Sequence, residues 1–143
     1  MTLSQTSEIA DARSVLQTES AAIKLAAERL DANFVHAVDV LDVPNGKIIV
    51  AGLGKSGHVG RKIAATFCST GSPAVFMHAA EAVHGDLGVH QTGNPTIFLS
   101  NSGSTSELLA LVPILRDRGS SLVGILGNID GPLAHKMDVN LDA

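Results

Sequence analysis

The feature that most constrains the fold of this 143-residue chain is a series of short apolar runs separated by helical patterns. The runs occupy residues 47–53, 74–78, 96–99, 122–126 and 139–141. They are largely continuous rather than alternating, which is typical of parallel strands buried on both faces. Strands that alternate with helices form right-handed βαβ units. The sequence therefore predicts an α/β fold, a three-layer doubly wound sheet of about five parallel strands.

Two helices are predicted to precede the sheet. Residues 4–30 contain neither Gly nor Pro, and Leu16, Ile23 and Leu30 recur seven apart on one stripe. A second helix is predicted at about residues 33–41, before a Pro-Asn-Gly turn. Amphipathic leading helices of this kind cover a sheet or pack against another subunit, and the sequence leaves both interpretations open.

Composition indicates one globular domain. The chain is 45% apolar, and we expect the N-terminal helices in residues 1–43 and the α/β core in residues 47–143. A net charge of −4 argues against a nucleic-acid partner. Cys68 is the only cysteine, which excludes an internal disulfide. No apolar run approaches the roughly 18 residues that span a membrane, so we expect a cytoplasmic protein without a membrane partner.

The third predicted strand leads into a turn rich in hydroxyl groups, with Gly103 at its centre. The hydroxyls belong to Ser100, Ser102, Ser104, Thr105 and Ser106. Ligands of doubly wound sheets bind outside the carboxyl ends of the strands, and a helix N-terminus offers free N–H groups to a phosphate. Ser104 and Glu107 also fit the S/T-x-x-E capping box of ordinary helices. An anion site and a plain helix cap therefore both remain open.

The first strand ends in a glycine-rich turn, predicted over residues 54–57, with a helix following from Val59. Residues 52–57 form a G-x-G-x-x-G pattern, but the acidic residue expected about 20 positions later in dinucleotide-binding proteins is missing. Ile49 stands where a Walker A motif needs glycine, so nucleotide hydrolysis is disfavoured and a nucleotide-binding protein is the weaker alternative. The turn presents Lys55 and Ser56 at the mouth of the sheet.

The second strand leads into a loop in which His84 is followed by Gly85, Asp86 and Gly88. A histidine there acts as an acid or base near neutral pH, or donates to a substrate oxygen. His78 and His90 are near in sequence, but the spacing of the three histidines suits no known zinc motif, so no metal site is expected.

Three candidate groups thus follow three successive strands, namely Lys55, His84 and Glu107. A cation, an imidazole and a carboxylate beside an anion site match the needs of a sugar-phosphate isomerase. Such an enzyme moves a proton between adjacent carbons through an enediol.

Three segments together, residues 52–67, 78–88 and 100–107, resemble the SIS (sugar isomerase) domain, and more narrowly the arabinose-5-phosphate isomerases. The resemblance implies a flavodoxin- or Rossmann-like sheet and the interconversion of D-arabinose 5-phosphate and D-ribulose 5-phosphate. In that family the reaction feeds Kdo synthesis for lipopolysaccharide or capsule. The resemblance also implies a homo-oligomer, a dimer or tetramer, that binds a small sugar phosphate and needs no cofactor.

The resemblance assigns roles to the candidate residues. It implies that Lys55, His84 and Glu107 contribute to the proton transfers. The phosphate is then held by Ser56, Ser100, Ser102 and Thr105, with Ser104 on the same turn. The family's domain continues past its fifth strand with a further glutamate and histidine, which we expect to be absent from a chain that stops at Ala143. Two functions therefore remain open, an isomerase domain and a non-catalytic module that senses a phosphosugar.

Overall fold

The computed structural model describes the backbone of residues 3–143 and the side chains of residues 7–143. The chain divides into two compact units, Met1–Leu30 and Asp31–Ala143. Helix α1, Leu3–Glu28, forms the first unit, as the absence of Gly and Pro predicted. Every described side chain of α1 is exposed. Among residues 3–143, no helix has the length and apolar character needed to cross a membrane.

The second unit is a five-stranded parallel sheet flanked by helices, so the predicted fold class is confirmed. The strands are β1 Ile48–Gly52, β2 Ala74–His78, β3 Thr96–Ser100, β4 Leu122–Leu126 and β5 Val139–Asp142. The helices are α2 Ala32–Leu41, α3 Gly54–Ser69, α4 Ala79–Ala82 and α5 Ser106–Asp117, with 3-10 helices at Asp86–Val89 and Ala134–Lys136. The strand order is β2-β1-β3-β4-β5.

Apolar side chains cover both faces of the sheet. Ile49 and Phe98 lie in one cluster with the buried residues of α4 and α5. Val50, Ile97 and Val123 lie in the other cluster, to which α2 and α3 contribute. Successive strand residues point to opposite faces, so a strand buried on both sides must be apolar throughout. This is why the sequence shows the strands as continuous apolar runs.

Helix α2 packs on the sheet, which is one of the two alternatives left open by the sequence. It begins after Asp31, whose Oδ1 accepts a hydrogen bond from the backbone N–H of Asn33 at 2.8 Å. Ala37 is buried against the sheet cluster that contains Ile97 and Val139. Ala37 is the one buried residue of α2, whereas Phe34 and Val38 are 44% and 50% exposed, so packing within its own unit buries only part of the apolar stripe.

The predicted start of α3 at Val59 is wrong, because the helix begins at Gly54. Gly54 has a φ of +56°, a conformation that residues with a side chain rarely adopt. A Cβ on Gly60 would lie 3.0 Å from the ring of Phe76. The glycines therefore let α3 start directly after β1 and pack closely on β2.

The strand order creates a crevice at the carboxyl edge of the sheet. The chain moves from β1 to β2 on one side, and β3 then returns to the other side of β1. Segments that follow β1 and β3 diverge at such a switch point, and ligands of open α/β sheets bind there. The segments in question are the first turn of α3 and the turn before α5.

Candidate functional site

The turn between β3 and α5, which we call the hydroxyl loop (residues 100–106), is folded by its own first side chain. Ser100 is buried at the end of β3. Its Oγ accepts a hydrogen bond from the N–H of Gly103 at 3.1 Å and shares one with the hydroxyl of Thr105 at 3.0 Å. Ser100 therefore fixes the curvature of the loop at the strand end.

The loop that follows β4 (residues 127–133) supports the hydroxyl loop from behind. The N–H of Leu133 donates to the carbonyl of Gly103 at 2.9 Å. A Cβ on Gly103 would lie 2.5 Å from the carbonyl oxygen of Asn128, and one on Gly131 would lie 2.7 Å from the carbonyl oxygen of Gly103. The two backbones are thus in direct contact without side chains between them, and no sequence pattern reveals this contact.

Ser104 and Glu107, whose spacing also fits a capping box, do not form one. The N-cap of α5 is Thr105, which makes no side-chain capping bond, and Glu107 is the second residue of the helix. Ser104 instead donates its hydroxyl to Ser102 Oγ at 3.1 Å. Because no N-cap side chain satisfies the first N–H groups of α5, this helix end is open to an anion.

Glu107 carries a carboxylate in the first turn of α5. Its own backbone N–H, and then the hydroxyl of Ser106 at 2.9 Å from Oε2, lower the pKa of this half-buried group. The imidazole of His78, which ends β2, lowers the pKa further. The sequence pattern marks His78 only as a potential metal ligand, and this contribution does not follow from it.

Lys55 and Ser56 lie in the first turn of α3, with Lys55 exposed and Ser56 half-buried. The N-cap of α3 is Leu53, an apolar residue that makes no capping bond. The helices that follow β1 and β3 therefore both present uncapped N-termini at the crevice. Partial positive charge from two helix ends favours a bound anion.

His84 is exposed beyond the short helix α4. The backbone N–H of His84 donates to the carbonyl of Glu81 at 2.9 Å, and the next residue, Gly85, has a φ of 137°. His90, in contrast, is buried, and its Nε2 bonds to the carbonyl oxygen of Asn94 at 3.0 Å. His90 is therefore fixed by the start of β3 and does not share a site with His84.

The candidate residues all lie on segments that follow β1, β2 or β3 at the carboxyl edge of the sheet. Within residues 3–143, no hydrogen bond or ion pair joins any two of Lys55, His84 and Glu107. In the same part of the chain, no three His, Cys, Asp or Glu side chains are grouped to hold a metal. The site thus offers separate polar groups along the carboxyl edge of the sheet.

Comparison with known proteins identifies the family. Residues 43–143 match the model of the SIS domain. The chain belongs to the SIS domain family. It is similar to the E. coli CFT073 protein c3406, solved in complex with a sugar phosphate, at 36% identity and a TM-score of 0.91 over 99% of this chain and 74% of that one. A putative sugar-phosphate isomerase from Listeria monocytogenes gives 34% identity and a TM-score of 0.89, with 97% and 72% covered.

This SIS domain is related to arabinose 5-phosphate isomerases. The arabinose 5-phosphate isomerase KdsD of Pseudomonas aeruginosa is 44% identical over 94% of this chain. GutQ of Salmonella typhimurium, which has the same named activity, is 45% identical over 80% of it. The chain spans only 41% and 36% of the lengths of these relatives.

Proposed function

We propose that this SIS domain binds and isomerises a pentose phosphate, interconverting D-arabinose 5-phosphate and D-ribulose 5-phosphate. The observation that carries the proposal is the uncapped N-terminus of α5 behind a loop of hydroxyls. The named activity of relatives at 44% and 45% identity, and the sugar-phosphate complex of c3406, support the choice of substrate.

In this proposal the hydroxyl loop holds the phosphate ester. Ser102, Ser104 and Thr105 donate hydroxyl hydrogens to phosphate oxygens, together with the free N–H groups of α5. Ser100 contributes from the strand end, where its bond to Gly103 shapes the loop. Ser56 approaches the same anion from the first turn of α3. The sugar carbons then extend toward the groups that move protons.

The proton transfers are assigned to Glu107, His84 and Lys55. Glu107 removes the proton from C2 of the open-chain aldose, and the electron pair of that C–H bond forms the C1=C2 bond of an enediol. The carbonyl oxygen at C1 takes a proton from His84, while Lys55 stabilises negative charge on the oxygens. The C2 hydroxyl then returns a proton to His84, and Glu107 delivers its proton to C1, which gives the ketose.

Replacing the carboxylate of Glu107 distinguishes an isomerase from a domain that only senses a phosphosugar. Glu107→Gln keeps the size and a polar tip but cannot accept a proton, so turnover should fall by about 10²-fold or more. Affinity for D-arabinose 5-phosphate, measured by calorimetry, should change less than about threefold. If the variant turns over at the parent rate, Glu107 is not the base. If neither protein turns over but both bind, the domain is a phosphosugar sensor.

We also propose that the domain works in the cytoplasm as part of a homo-oligomer and serves Kdo synthesis. Apolar side chains that lie exposed on α1 support an oligomer, because a helix with such a stripe is stabilised by burying it. Leu16 is 64% exposed and Ile23 72%. The named activity of the relatives supports the pathway.

A further inference from the structure

The segment that carries His84 (residues 79–90, the His84 segment) has an asymmetric attachment to the protein. On its N-terminal side, Ala79 and Ala82 are buried in the core. On the other side lie Gly85 and Gly88, before and within the 3-10 helix, and no Cβ at either glycine would touch anything within 4 Å. Leu87 and Val89 of this 3-10 helix pack against the core while partly exposed, so the position of the exposed His84 imidazole depends on how the backbone between Gly85 and His90 is held.

Arg118 provides that support. It follows the last residue of α5, and its Nη1 donates to the carbonyl oxygen of Leu87 at 2.8 Å and to that of His90 at 3.3 Å. The carbonyl of Arg118 itself accepts a hydrogen bond from Gly93 at 2.9 Å. These partners are all backbone groups, so Arg118 fixes the course of the chain rather than balancing a charge. Hydrogen bonds from a charged donor contribute more than neutral ones.

The end of the His84 segment is held further by a buried polar network. His90 is 4% exposed, and its ring bonds to the carbonyl oxygen of Asn94 at 3.0 Å. Ser120, just before β4, donates to the same oxygen at 2.7 Å. The backbone of His90, to which Arg118 donates, is therefore held next to the sheet by buried hydrogen bonds.

Helix α5 connects Arg118 to Glu107, the proposed base. Glu107 lies in its first turn, and Arg118 directly follows its last residue, Asp117. We propose that Arg118 is a positioning residue that sets where His84 stands relative to Glu107, by holding the carbonyls of Leu87 and His90. This inference rests on the proposed function, because only a shared substrate makes the relative position of His84 and Glu107 matter.

Arg116 offers a matched control on the same helix. Its guanidinium donates to the carbonyl of Lys136 at 2.8 Å and to Asp138 at 2.7 Å, so it fixes the chain before β5 instead of the His84 segment. Arg118→Met and Arg116→Met each remove one arginine clamp from the end of α5. Arg118→Lys keeps a positive donor on a stem of similar length.

We expect Arg118→Met to lower kcat by about tenfold or more with KM within about threefold, because a displaced proton-transfer group slows chemistry more than binding. Arg116→Met should leave kcat within about twofold while lowering the melting temperature by about as much as Arg118→Met does. Arg118→Lys should retain most of the parent kcat. Equal kcat for the two methionine variants, or a parallel loss of affinity and kcat in Arg118→Met, would overturn the assignment.

An NMR measurement separates this inference from the proposed function. Ring resonances of His84 should broaden or average in Arg118→Met and stay sharp in Arg116→Met, with no substrate present. If the unchanged domain fails to turn over or bind sugar phosphates, the proposed function fails, and the ring comparison still decides whether Arg118 fixes His84. Identical His84 resonances in both variants would contradict the positioning role.

Discussion

At the start of α5, binding an anion and keeping Glu107 a strong base place opposite requirements on the same backbone N–H groups. In the proposal the first N–H groups of α5 bind a phosphate, but one of them, the N–H of Glu107, is also the main cause of the lowered pKa of the Glu107 carboxylate. A low pKa keeps the group ionised but makes it a weaker base. In the proposed mechanism, phosphate binding partly neutralises this helix end, which raises the basicity of Glu107 when substrate is present.

The hydroxyls of residues 100–106 could be found from the sequence, but their individual partners could not. The spacing of Ser104 and Glu107 also fits a capping box, yet Thr105 holds the N-cap position. The hydroxyl of Ser100 bonds to Gly103 and Thr105, and the helix starts one residue later than a capping box at Ser104 would place it. A bond between a strand-end side chain and a loop has no spacing rule that a sequence pattern reveals.

Buried His90 predicts a pH-dependent stability. Burial, together with the cations of Arg118 and Lys47, lowers the pKa of His90 below 6.5. The unfolded chain therefore binds more protons than the folded one, so the free energy of unfolding falls as the pH drops below about 6.5. His90→Gln, which keeps a donor for Asn94, should cost about 1–2 kcal/mol near neutral pH and less in acid.

Urea unfolding of both proteins at about pH 7.5 and pH 5.5 measures this difference. The carboxylates of Glu107 and Asp138 do not titrate between these two pH values. Their ordinary pKa values, 4.5 and 3.8, lie below this range, and both pKa values are lowered further in the folded protein. Parallel losses at the two pH values would show that the titration of His90 does not contribute.

At the scale of elements, the strands were predictable and the start of α3 was not. The strands are buried on both faces, so continuous apolar runs mark them. Glycine is a poor helix former, and a stretch with Gly54 and Gly57 therefore predicted a turn. In the structure these glycines allow close packing, since Gly57 and Gly60 face the ring of Phe76. Tertiary contact outweighs local preference here.

The contact between the loops after β3 and β4 gives a testable prediction. Gly131→Ala would place a Cβ 2.7 Å from the carbonyl oxygen of Gly103, so the hydroxyl loop must move. We expect a loss of about 1–3 kcal/mol of stability and a clear loss of affinity for a sugar phosphate. Calorimetric titration with D-arabinose 5-phosphate, beside thermal unfolding, measures both.

Gly124→Ala is the control for this substitution. Gly124 lies within β4, and a Cβ on it would lie 2.7 Å from the side-chain oxygen of Asn140 in β5 rather than against the hydroxyl loop. It should destabilise the domain by a comparable amount but leave phosphosugar affinity nearly unchanged. Equal losses of affinity in the two variants would mean that the support behind Gly103 does not shape the binding site.

At the scale of the whole molecule, topology explains why motifs that are distant in sequence lie at the same edge of the sheet. Parallel strands end at one edge, so segments following β1, β2 and β3 converge there whatever their spacing in the chain. This is why the sequence predicted one site from three loops. The contributions of His78 and Arg118 could not be predicted in this way, because each acts through a contact between non-adjacent elements.

A crystal structure of this domain with bound D-arabinose 5-phosphate tests the central claim most directly. We expect the phosphate within hydrogen-bond distance of Ser102, Thr105 and the first N–H groups of α5, with the sugar carbons directed toward Glu107. A phosphate bound elsewhere, for instance in the apolar cavity between α2 and α3, with the hydroxyl loop empty, would contradict the account.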